Sequence, residues 1–200
     1  GWPGLYLALQ TGCAVTLLDL PETGLRLAEA RAKADGMTSQ LSTVQGDATD
    51  MPFPSKSFTA ISHSDVLCCL QDKPAVLREC RRVINADGRM CFTVIRLADG
   101  LQRSAMDLAL QAGPEFIRSE ADYPSMLQSA GWEITQQDDI TDEFLASIER
   151  MIVAEEEQYE SLRTLRGDDA NETARANWQS RRQAVTDRLI FREFFSAVPA

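Results

Sequence analysis

Two acidic residues, each at the end of a short apolar segment, constrain this chain more than any other feature. Residues 14–19 read Ala-Val-Thr-Leu-Leu-Asp, and residues 41–47 read Leu-Ser-Thr-Val-Gln-Gly-Asp. Short apolar runs of this kind are typical of buried parallel strands. Open α/β sheets bind ligands at the carboxyl ends of their strands. We therefore expect Asp19 and Asp47 to lie together at a ligand-binding edge.

This pair of carboxylates suits a nucleoside. One carboxylate can accept hydrogen bonds from ribose hydroxyls, and the other can accept one from the exocyclic amine of adenine. The pattern therefore predicts an adenosine-containing cofactor. The alternative is that Asp19 and Asp47 only cap the turns that follow their strands. We favour the cofactor interpretation because both acids end strands on the side where such sheets bind ligands.

Strands and helices alternate along the first half of the chain, which predicts a doubly wound, mostly parallel α/β sheet of the Rossmann-like kind. The predicted strands cover residues 14–20, 41–46, 58–62 and 90–95, and residues 85–88 are predicted to form a turn. Helices are predicted at residues 3–11 and 21–36 and after an N-cap at Asp72.

The second half is less regular. It is predicted to hold helices at residues 101–112 and 123–130, a strand at 131–136 and a final strand at or near a sheet edge at 189–196. Residues 142–188 read as almost wholly helical, with a break near Gly167. We predict one domain over residues 1–200, in which residues 142–188 form a helical insertion that caps the substrate side.

Charge and cysteine content limit the partners. Twenty Lys and Arg against thirty Asp and Glu give a net charge of −10, which argues against nucleic acid as a partner. No apolar run approaches the length that spans a membrane.

The five cysteines lack Cys-x-x-Cys spacing, so no metal is assigned to them. Cys68 and Cys69 are interpreted as small core residues rather than a metal or redox site. A reducing cytoplasm is the expected compartment.

Taken in order, these motifs resemble the class I S-adenosylmethionine-dependent methyltransferases that act on small molecules. The similarity covers residues 1–95 well and the remainder in layout only. Residues 1–4, Gly-Trp-Pro-Gly, look like the end of the glycine-rich first motif of that family. Residues 51–58, Met-Pro-Phe-Pro-Ser-Lys-Ser-Phe, resemble the stretch before its fourth strand, and residues 78–88 resemble the helix and turn before its fifth.

The resemblance implies S-adenosyl-L-methionine as the cofactor and methyl transfer to a small-molecule acceptor. Asp19 matches the acid that binds the ribose, and Asp47 with Ala48 matches the pair that holds the adenine. Residues 62–67 fall beside the methionine moiety and the substrate. The implied cofactor-binding residues are Gly1, Trp2, Asp19, Leu20, Gly46, Asp47, Ala48 and Ser64.

His63 is the only histidine, and its position after the predicted fourth strand of the family suggests a general base for the acceptor. The alternative is a histidine packed beside the cofactor or pointing away, with alignment alone driving methyl transfer. Asp65, Tyr6 and Trp178 are the candidate substrate-binding residues. Asp65 is equally compatible with a helix cap, and the two aromatic residues with core packing.

The chain departs from the family pattern at three places. The first strand of the family, which is central to its sheet, would precede Gly1, so we expect residues 1–200 alone to bind the cofactor weakly. Thr59 stands at the position after the Phe where the family usually has an Asp. Cys68-Cys69 stands where many members of the family have a His.

Two other functions are compatible with parts of this pattern. A nicotinamide-dependent oxidoreductase is disfavoured because no Tyr-x-x-x-Lys pair occurs. A non-catalytic binding domain that retains the fold is the second rival. The acceptor atom, the oligomeric state and any N-terminal targeting segment stay open.

Overall fold

The strands of this protein form two separate sheets flanked by helices, as seen in a computed structural model that describes all 200 residues. In chain order the elements are α1 (Trp2–Thr11), β1 (Val15–Asp19), α2 (Glu22–Ala34), β2 (Leu41–Gln45), β3 (Phe58–Ser64), a 3₁₀ helix (Leu67–Cys69), α3 (Lys73–Val83), β4 (Ile84–Leu97), α4 (Arg103–Ala112), α5 (Tyr123–Ser129), β5 (Trp132–Asp139), α6 (Thr141–Glu157), α7 (Tyr159–Arg166), α8 (Asp168–Thr186) and β6 (Ile190–Pro199). None of the helices combines the length and apolar character needed to cross a bilayer.

Strand pairing is parallel except at β6. The first sheet consists of β1 and β2 in parallel register, with Val15 opposite Leu41. The second has the order β3-β4-β6-β5, in which β3 and β4 are parallel and β6 runs antiparallel to both neighbours. The predicted mostly parallel α/β architecture is therefore confirmed. The final strand β6 is not itself the sheet edge, because β5 covers its outer side.

The turn predicted at residues 85–88 was wrong as a boundary between elements. The structure includes these residues in β4, which begins at Ile84. The pairing with β3 nevertheless shifts there, from Phe58 opposite Ile84 to Ala60 opposite Arg89. Between these two pairs, β3 has one residue and β4 has four, so three surplus residues of β4 bulge within a strand that continues on either side.

Helix boundaries follow the capping residues of the sequence. Asp72 caps α3 by accepting a hydrogen bond from the Ala75 N–H at 2.9 Å, and Asp122 caps α5 by accepting one from the Ser125 N–H at 2.7 Å. Each cap satisfies a backbone donor that the first helical turn leaves free. At the other end of a helix, Gly12 follows α1 with φ of 73°, a conformation that glycine adopts without strain.

Helices α6, α7 and α8 occupy the residues for which a helical insertion was predicted, and they lie between β5 and β6 in the chain. The predicted break at Gly167 is present, and a second one occurs at Gln158. The buried carboxylate of Glu155 fixes the helices together, because it accepts hydrogen bonds from Arg166 at 3.1 Å and from the Trp178 indole at 3.2 Å. The role of this insertion as a cap stays a prediction.

Lys73 gives a stability prediction. Its side chain is only 2% exposed, and Nζ donates to the carbonyl oxygens of Leu70, Phe116 and Arg118 at 3.1, 2.6 and 2.9 Å. Lys73→Met should keep the packing but leave these carbonyls without their donor. We expect a loss of about 2 kcal/mol of unfolding free energy, measured by urea denaturation. Lys33→Met, at an exposed position of α2, is the control, and equal stability of the two variants would contradict the prediction.

Candidate functional site

The carboxyl ends of β1 and β2 bring the two predicted cofactor acids to the same edge. Asp19 is paired with Gln45 in the parallel register, and the N–H of Gly46 donates to the Asp19 carbonyl at 3.1 Å. Asp47 follows directly. The juxtaposition expected from the strand pattern is thus present in the structure.

Asp19 presents its carboxylate at the exposed end of β1. Oδ1 accepts a hydrogen bond from the Leu20 N–H at 2.9 Å, and Oδ2 faces the start of α2. A Cβ at Gly24 would lie 3.1 Å from Oδ2, so glycine leaves room beside this oxygen. The Leu20 side chain is exposed, and its carbonyl accepts a hydrogen bond from the Gln45 amide at 2.9 Å. Asp19 therefore has a free carboxylate oxygen for a diol.

Asp47 has a turn-capping contact as well as a free oxygen. Oδ1 accepts a hydrogen bond from the Thr49 N–H at 2.8 Å, and this contact lowers the pKa of the Asp47 carboxyl below its usual value. Oδ2 makes no hydrogen bond within the protein. A Cβ at Gly46 would come within 3.0 Å of Leu18 and Pro52. A larger residue would be crowded by these side chains, which explains why this position is a glycine. Ala48 is half-buried against the main core.

The first residues of the chain pack α1 against α2. A Cβ at Gly1 would lie only 2.5 Å from that of Ala28, so the two elements meet closely there. Trp2 is 55% exposed, and its ring lies 6.3 Å from that of Tyr6 and 4.9 Å from the Arg31 guanidinium. No hydrogen bond or ring contact joins Trp2 or Tyr6 to the acidic residues of the strand ends.

A second polar cluster lies at the ends of β3 and β4, centred on Asp65. This residue has φ of 55°, a left-handed conformation that is uncommon outside glycine. Arg192 holds its carboxylate with two contacts, Nε to Oδ1 at 3.1 Å and Nη2 to Oδ2 at 2.9 Å. The Thr93 hydroxyl donates to Oδ1 at 3.1 Å. The side chain of Asp65 is therefore held by Arg192 and Thr93 and does not act as a helix cap.

Arg192 links this cluster to the helical insertion. Its Nη2 donates to the Ser64 hydroxyl at 3.0 Å, and its guanidinium lies 5.3 Å from the Phe144 ring on α6. Its backbone N–H donates to Oγ1 of Thr141 at the start of α6, at 3.0 Å. The sequence analysis missed Arg192. The signal that could have indicated Arg192 is its position as a charged residue within the apolar segment that forms β6.

The adjacent cysteines differ in exposure. Both thiols donate to the Asp65 carbonyl, at 3.2 Å from Cys68 and 3.3 Å from Cys69. Cys68 is buried, and burial raises its pKa to about 12. Cys69 is exposed. The interpretation as core residues was right for Cys68 and wrong for Cys69, because the 3₁₀ helix turns the second thiol towards solvent.

His63 is placed away from the polar cluster. Successive strand residues point to opposite faces of a sheet, so His63 and Ser64 lie on different sides of β3. The imidazole stacks on Phe92 with ring centroids 4.8 Å apart, and both of its nitrogens are shielded from solvent without a hydrogen-bond partner. Burial lowers the pKa of His63 to about 4. The imidazole is therefore neutral at pH 7, and its role as a general base stays a prediction.

Trp178 belongs to the interior of the helical insertion. It is half-buried, its indole N–H donates to Glu155, and the Arg181 guanidinium lies 5.5 Å from its ring. These contacts join α8 to α6. The structure therefore brings together Asp19 with Asp47 and Ser64 with Asp65, but it links neither Trp178 nor Tyr6 to Asp65 by a hydrogen bond or ring contact. Their substrate-binding roles stay predictions.

Comparison with known proteins agrees with this geometry. Residues 1–92 match the family described as "Methyltransferase domain". The chain is 24% identical over 152 residues to the methyltransferase GfsG of Streptomyces halstedii, covering 72% of this chain and 53% of that protein. It is 28% identical over 147 residues to the sterol 24-C-methyltransferase ERG6B of Gibberella zeae, covering 70% and 39%. The chain thus spans about half or less of the length of these relatives.

A solved structure extends the similarity over nearly the whole chain. Phosphoethanolamine N-methyltransferase 2 of Haemonchus contortus, in complex with S-adenosyl-L-methionine, superposes with a TM-score of 0.83 at 17% identity. The match covers 98% of this chain and 45% of that one. The protein thus has the fold of the S-adenosylmethionine-dependent methyltransferases.

Proposed function

We propose that this protein binds S-adenosyl-L-methionine and transfers its methyl group to a small-molecule acceptor. The observation that carries the proposal is the convergence of Asp19 and Asp47 at adjacent ends of two parallel strands, within a methyltransferase fold. When bound, the cofactor supplies an electrophilic methyl group on a sulfonium. The remaining requirements fall on the residues of the chain, which must hold the nucleoside and orient the acceptor.

The cofactor is assigned to the β1–β2 edge. Asp19 would accept hydrogen bonds from the ribose diol through its free oxygen, and Asp47 would accept one from the adenine amine. Charge-assisted bonds of this kind contribute about 1.5–3 kcal/mol each. Gly46 and Ala48 would leave the strand end open to the adenine, with Leu20 covering one side. The methionine end would then approach Ser64, with Gly1 and Trp2 at the start of α1.

The acceptor is assigned to the cluster around Asp65. Arg192 holds this carboxylate in one orientation through two contacts. A carboxylate has room for about four hydrogen bonds, so Asp65 retains acceptor capacity for an amine or hydroxyl of the substrate. Methyl transfer from a sulfonium depends chiefly on alignment of the nucleophile with the methyl group. Asp65 would provide that alignment.

The acceptor class can be found by measuring release of S-adenosylhomocysteine with a panel of compounds. Relatives of this chain are named for sterols, for glycine and sarcosine, and for demethylmenaquinone, so one compound of each class belongs in the panel.

We propose the cytoplasm as the compartment, in keeping with five free thiols. The net charge of −10 supports small molecules rather than nucleic acid as partners.

Asp19→Ala should weaken binding of S-adenosylhomocysteine by at least about tenfold, because the ribose loses its charged acceptor. Isothermal titration calorimetry on the parent and the variant measures the ratio. Asp107→Ala, at an exposed position of α4, is the control and should bind as the parent does. Unchanged affinity of a folded Asp19→Ala protein would remove the ribose assignment.

A further inference from the structure

The hydrogens of the polar cluster around Asp65 can be assigned one by one. Thr93 Oγ1 donates to Asp65 Oδ1 at 3.1 Å, and a hydroxyl has only one hydrogen. The Ser64 hydroxyl lies 2.9 Å from Thr93 Oγ1, so Ser64 is the donor in this pair. Arg192 Nη2 directs its two hydrogens to the hydroxyl oxygens of Ser64 and Thr93, at 3.0 and 3.1 Å. The Thr93 hydroxyl is therefore fully occupied, and it sets the direction of the Ser64 hydrogen.

Two oxygen atoms of this cluster keep room for a further hydrogen bond. Ser64 Oγ accepts from Arg192 alone, so one of its lone pairs is free. Asp65 Oδ2 has Arg192 Nη2 at 2.9 Å as its only donor neighbour, which also leaves a lone pair free. Both oxygens contact the same nitrogen, so they are close enough for one further nitrogen to reach both. Ser64 is exposed and the Asp65 side chain is 27% exposed, so both are accessible to a ligand.

The two free oxygens require hydrogen-bond donors from whatever binds them. The hydrogens of Ser64 and Thr93 are both used within the cluster, and a carboxylate paired with a guanidinium only accepts. On Arg192, only Nη1 keeps hydrogens without a partner, and it makes no hydrogen bond to either oxygen. An atom that carries two hydrogens satisfies both oxygens. A hydroxyl satisfies one of them, and a carbonyl or a carboxylate satisfies neither.

We propose that the methyl acceptor is the nitrogen of a primary amine, which donates to Ser64 Oγ and Asp65 Oδ2. This inference rests on the proposed function and adds the acceptor atom to it. The reacting form is the neutral amine, with two N–H groups and one lone pair. Two fixed acceptors for the N–H groups leave the lone pair a single direction, away from both oxygens, and such alignment is the main requirement of the transfer.

The transfer itself is a displacement at the methyl carbon. The nitrogen lone pair forms the new N–C bond, and the C–S bond of the sulfonium breaks with its electron pair on sulfur. The ammonium formed in this way releases one proton to water. Ser64, which the methionine end of the cofactor is proposed to approach, would stand between cofactor and acceptor. Thr93 acts as a positioning residue, because it turns the Ser64 hydrogen away from the amine.

Two probes compare hydrogen-bond donors at equal charge. Benzylamine and N,N-dimethylbenzylamine are both cations at pH 7, but they carry three and one N–H hydrogens. Each is titrated into the ¹⁵N-labelled protein without cofactor and followed by NMR. We expect shifts of the amides of residues 64–69 and 192–193, and binding of benzylamine at least about fivefold tighter than that of the dimethyl compound. Equal affinities, or shifts confined to other residues, would overturn the proposal.

The same titration with saturating S-adenosylhomocysteine separates the acceptor from the cofactor. Benzylamine should bind with unchanged affinity. Competition between the two would assign the cluster to the amino group of the cofactor and would also overturn the proposal.

Variants of Ser64 test its oxygen as the second acceptor. Ser64→Ala should weaken benzylamine by about fivefold but change the affinity for benzyl alcohol less than twofold, because the single hydrogen of the alcohol goes to Asp65. Ser42→Ala, at an exposed position of β2, is the control and should bind both probes as the parent does. An equal loss for both probes would mean that Ser64 is only structural, which would refute the second acceptor.

Variants of Thr93 test the orientation of the Ser64 hydroxyl. Thr93→Val frees the Ser64 hydrogen, so the preference for benzylamine over benzyl alcohol should fall at least about threefold. Thr93→Ser keeps the hydroxyl and should restore the preference. A parent-like preference in folded Thr93→Val would refute the positioning role.

Turnover distinguishes this inference from the proposed function. In the panel of acceptors, a compound with a primary amine should release S-adenosylhomocysteine and give an N-methyl product by mass spectrometry. Transfer to the sterol or the quinone without transfer to any amine would overturn the amine assignment and leave the proposed function intact. Absence of transfer to every compound would count against the proposed function, whereas the binding titrations would still decide which group the cluster accepts.

Discussion

Arg192→Met should lower the turnover of methyl transfer by about a hundredfold, while the affinity for S-adenosylhomocysteine stays within twofold of the parent. Methionine keeps the aliphatic part of the side chain, but it removes the guanidinium, with its two contacts to Asp65, its contact to Ser64 and its position over the Phe144 ring. The Asp65 carboxylate then keeps only the Thr93 hydroxyl as a side-chain partner. A displacement of about 1 Å in an orienting group can cost a hundredfold in rate.

The control for this prediction is Arg188→Met. Arg188 also contacts α6, through Asp142 at 2.6 Å, but it makes no contact with Asp65. Its removal should leave turnover unchanged. Arg192→Lys keeps a positive charge but cannot make the bidentate contact with the Asp65 carboxylate. Its turnover should therefore lie between those of Arg192→Met and the parent. Release of S-adenosylhomocysteine, with the acceptor identified from the panel, measures all three variants. Parent-like turnover in folded Arg192→Met would show that Arg192 is structural only.

The unfolding free energy should fall by about 3 kcal/mol as the pH decreases from above 6.5 to 4, through His63 alone. The pKa of this imidazole is lowered from 6.5 to about 4 by burial. In this interval the unfolded chain binds a proton that the folded protein does not, so unfolding is favoured as the pH falls. Below pH 4 both states are protonated, and the loss levels off.

Comparison with His63→Phe isolates this effect from the carboxylates that titrate nearby. Phenylalanine preserves the stack on Phe92 and has no nitrogen to protonate, and the chain has no other histidine. Urea denaturation at several pH values gives the difference in unfolding free energy between parent and variant. This difference should change by about 3 kcal/mol between pH 6.5 and 4 and should stay constant below pH 4. A difference that does not vary with pH would mean that the imidazole is solvated in the folded protein.

The same variant tests the general-base prediction. If His63 removes a proton from the acceptor, His63→Phe should lower turnover by about a hundredfold with nearly unchanged cofactor affinity. Turnover within a factor of two of the parent would leave alignment by Asp65 as the explanation for catalysis.

The position of Asp19 and Asp47 at one edge of a sheet could be predicted from the sequence because its determinants are local. Asp19 and Asp47 each follow a short apolar strand, and parallel pairing brings both strand ends to one edge. Gly46, where a side chain would be crowded by Leu18 and Pro52, also belongs to that local pattern. The prediction needed only the strand boundaries and the parallel arrangement of the sheet.

The cluster around Asp65, the proposed acceptor site, could not be predicted in the same way, because it depends on distant residues. Arg192 reaches Asp65 across 127 positions of sequence, and only the antiparallel pairing of β6 with β4 brings them together. The face on which His63 lies depends on a strand that ends at Ser64 rather than two residues earlier. The bulge in β4 likewise follows from its pairing with β3, which turn-forming residues alone do not reveal.

The division of the strands into two sheets has a mechanical consequence. One sheet carries Asp19 and Asp47, the other leads to Asp65, and no strand of one pairs with a strand of the other. The segment between them is fastened by Arg82, which donates to the carbonyl oxygens of Met51 and Phe53 at 2.9 and 2.6 Å. The position of the first sheet relative to the second therefore depends on this segment and its hydrogen bonds to α3, to which the Met51 N–H adds one by donating to Glu79, and not on pairing between strands.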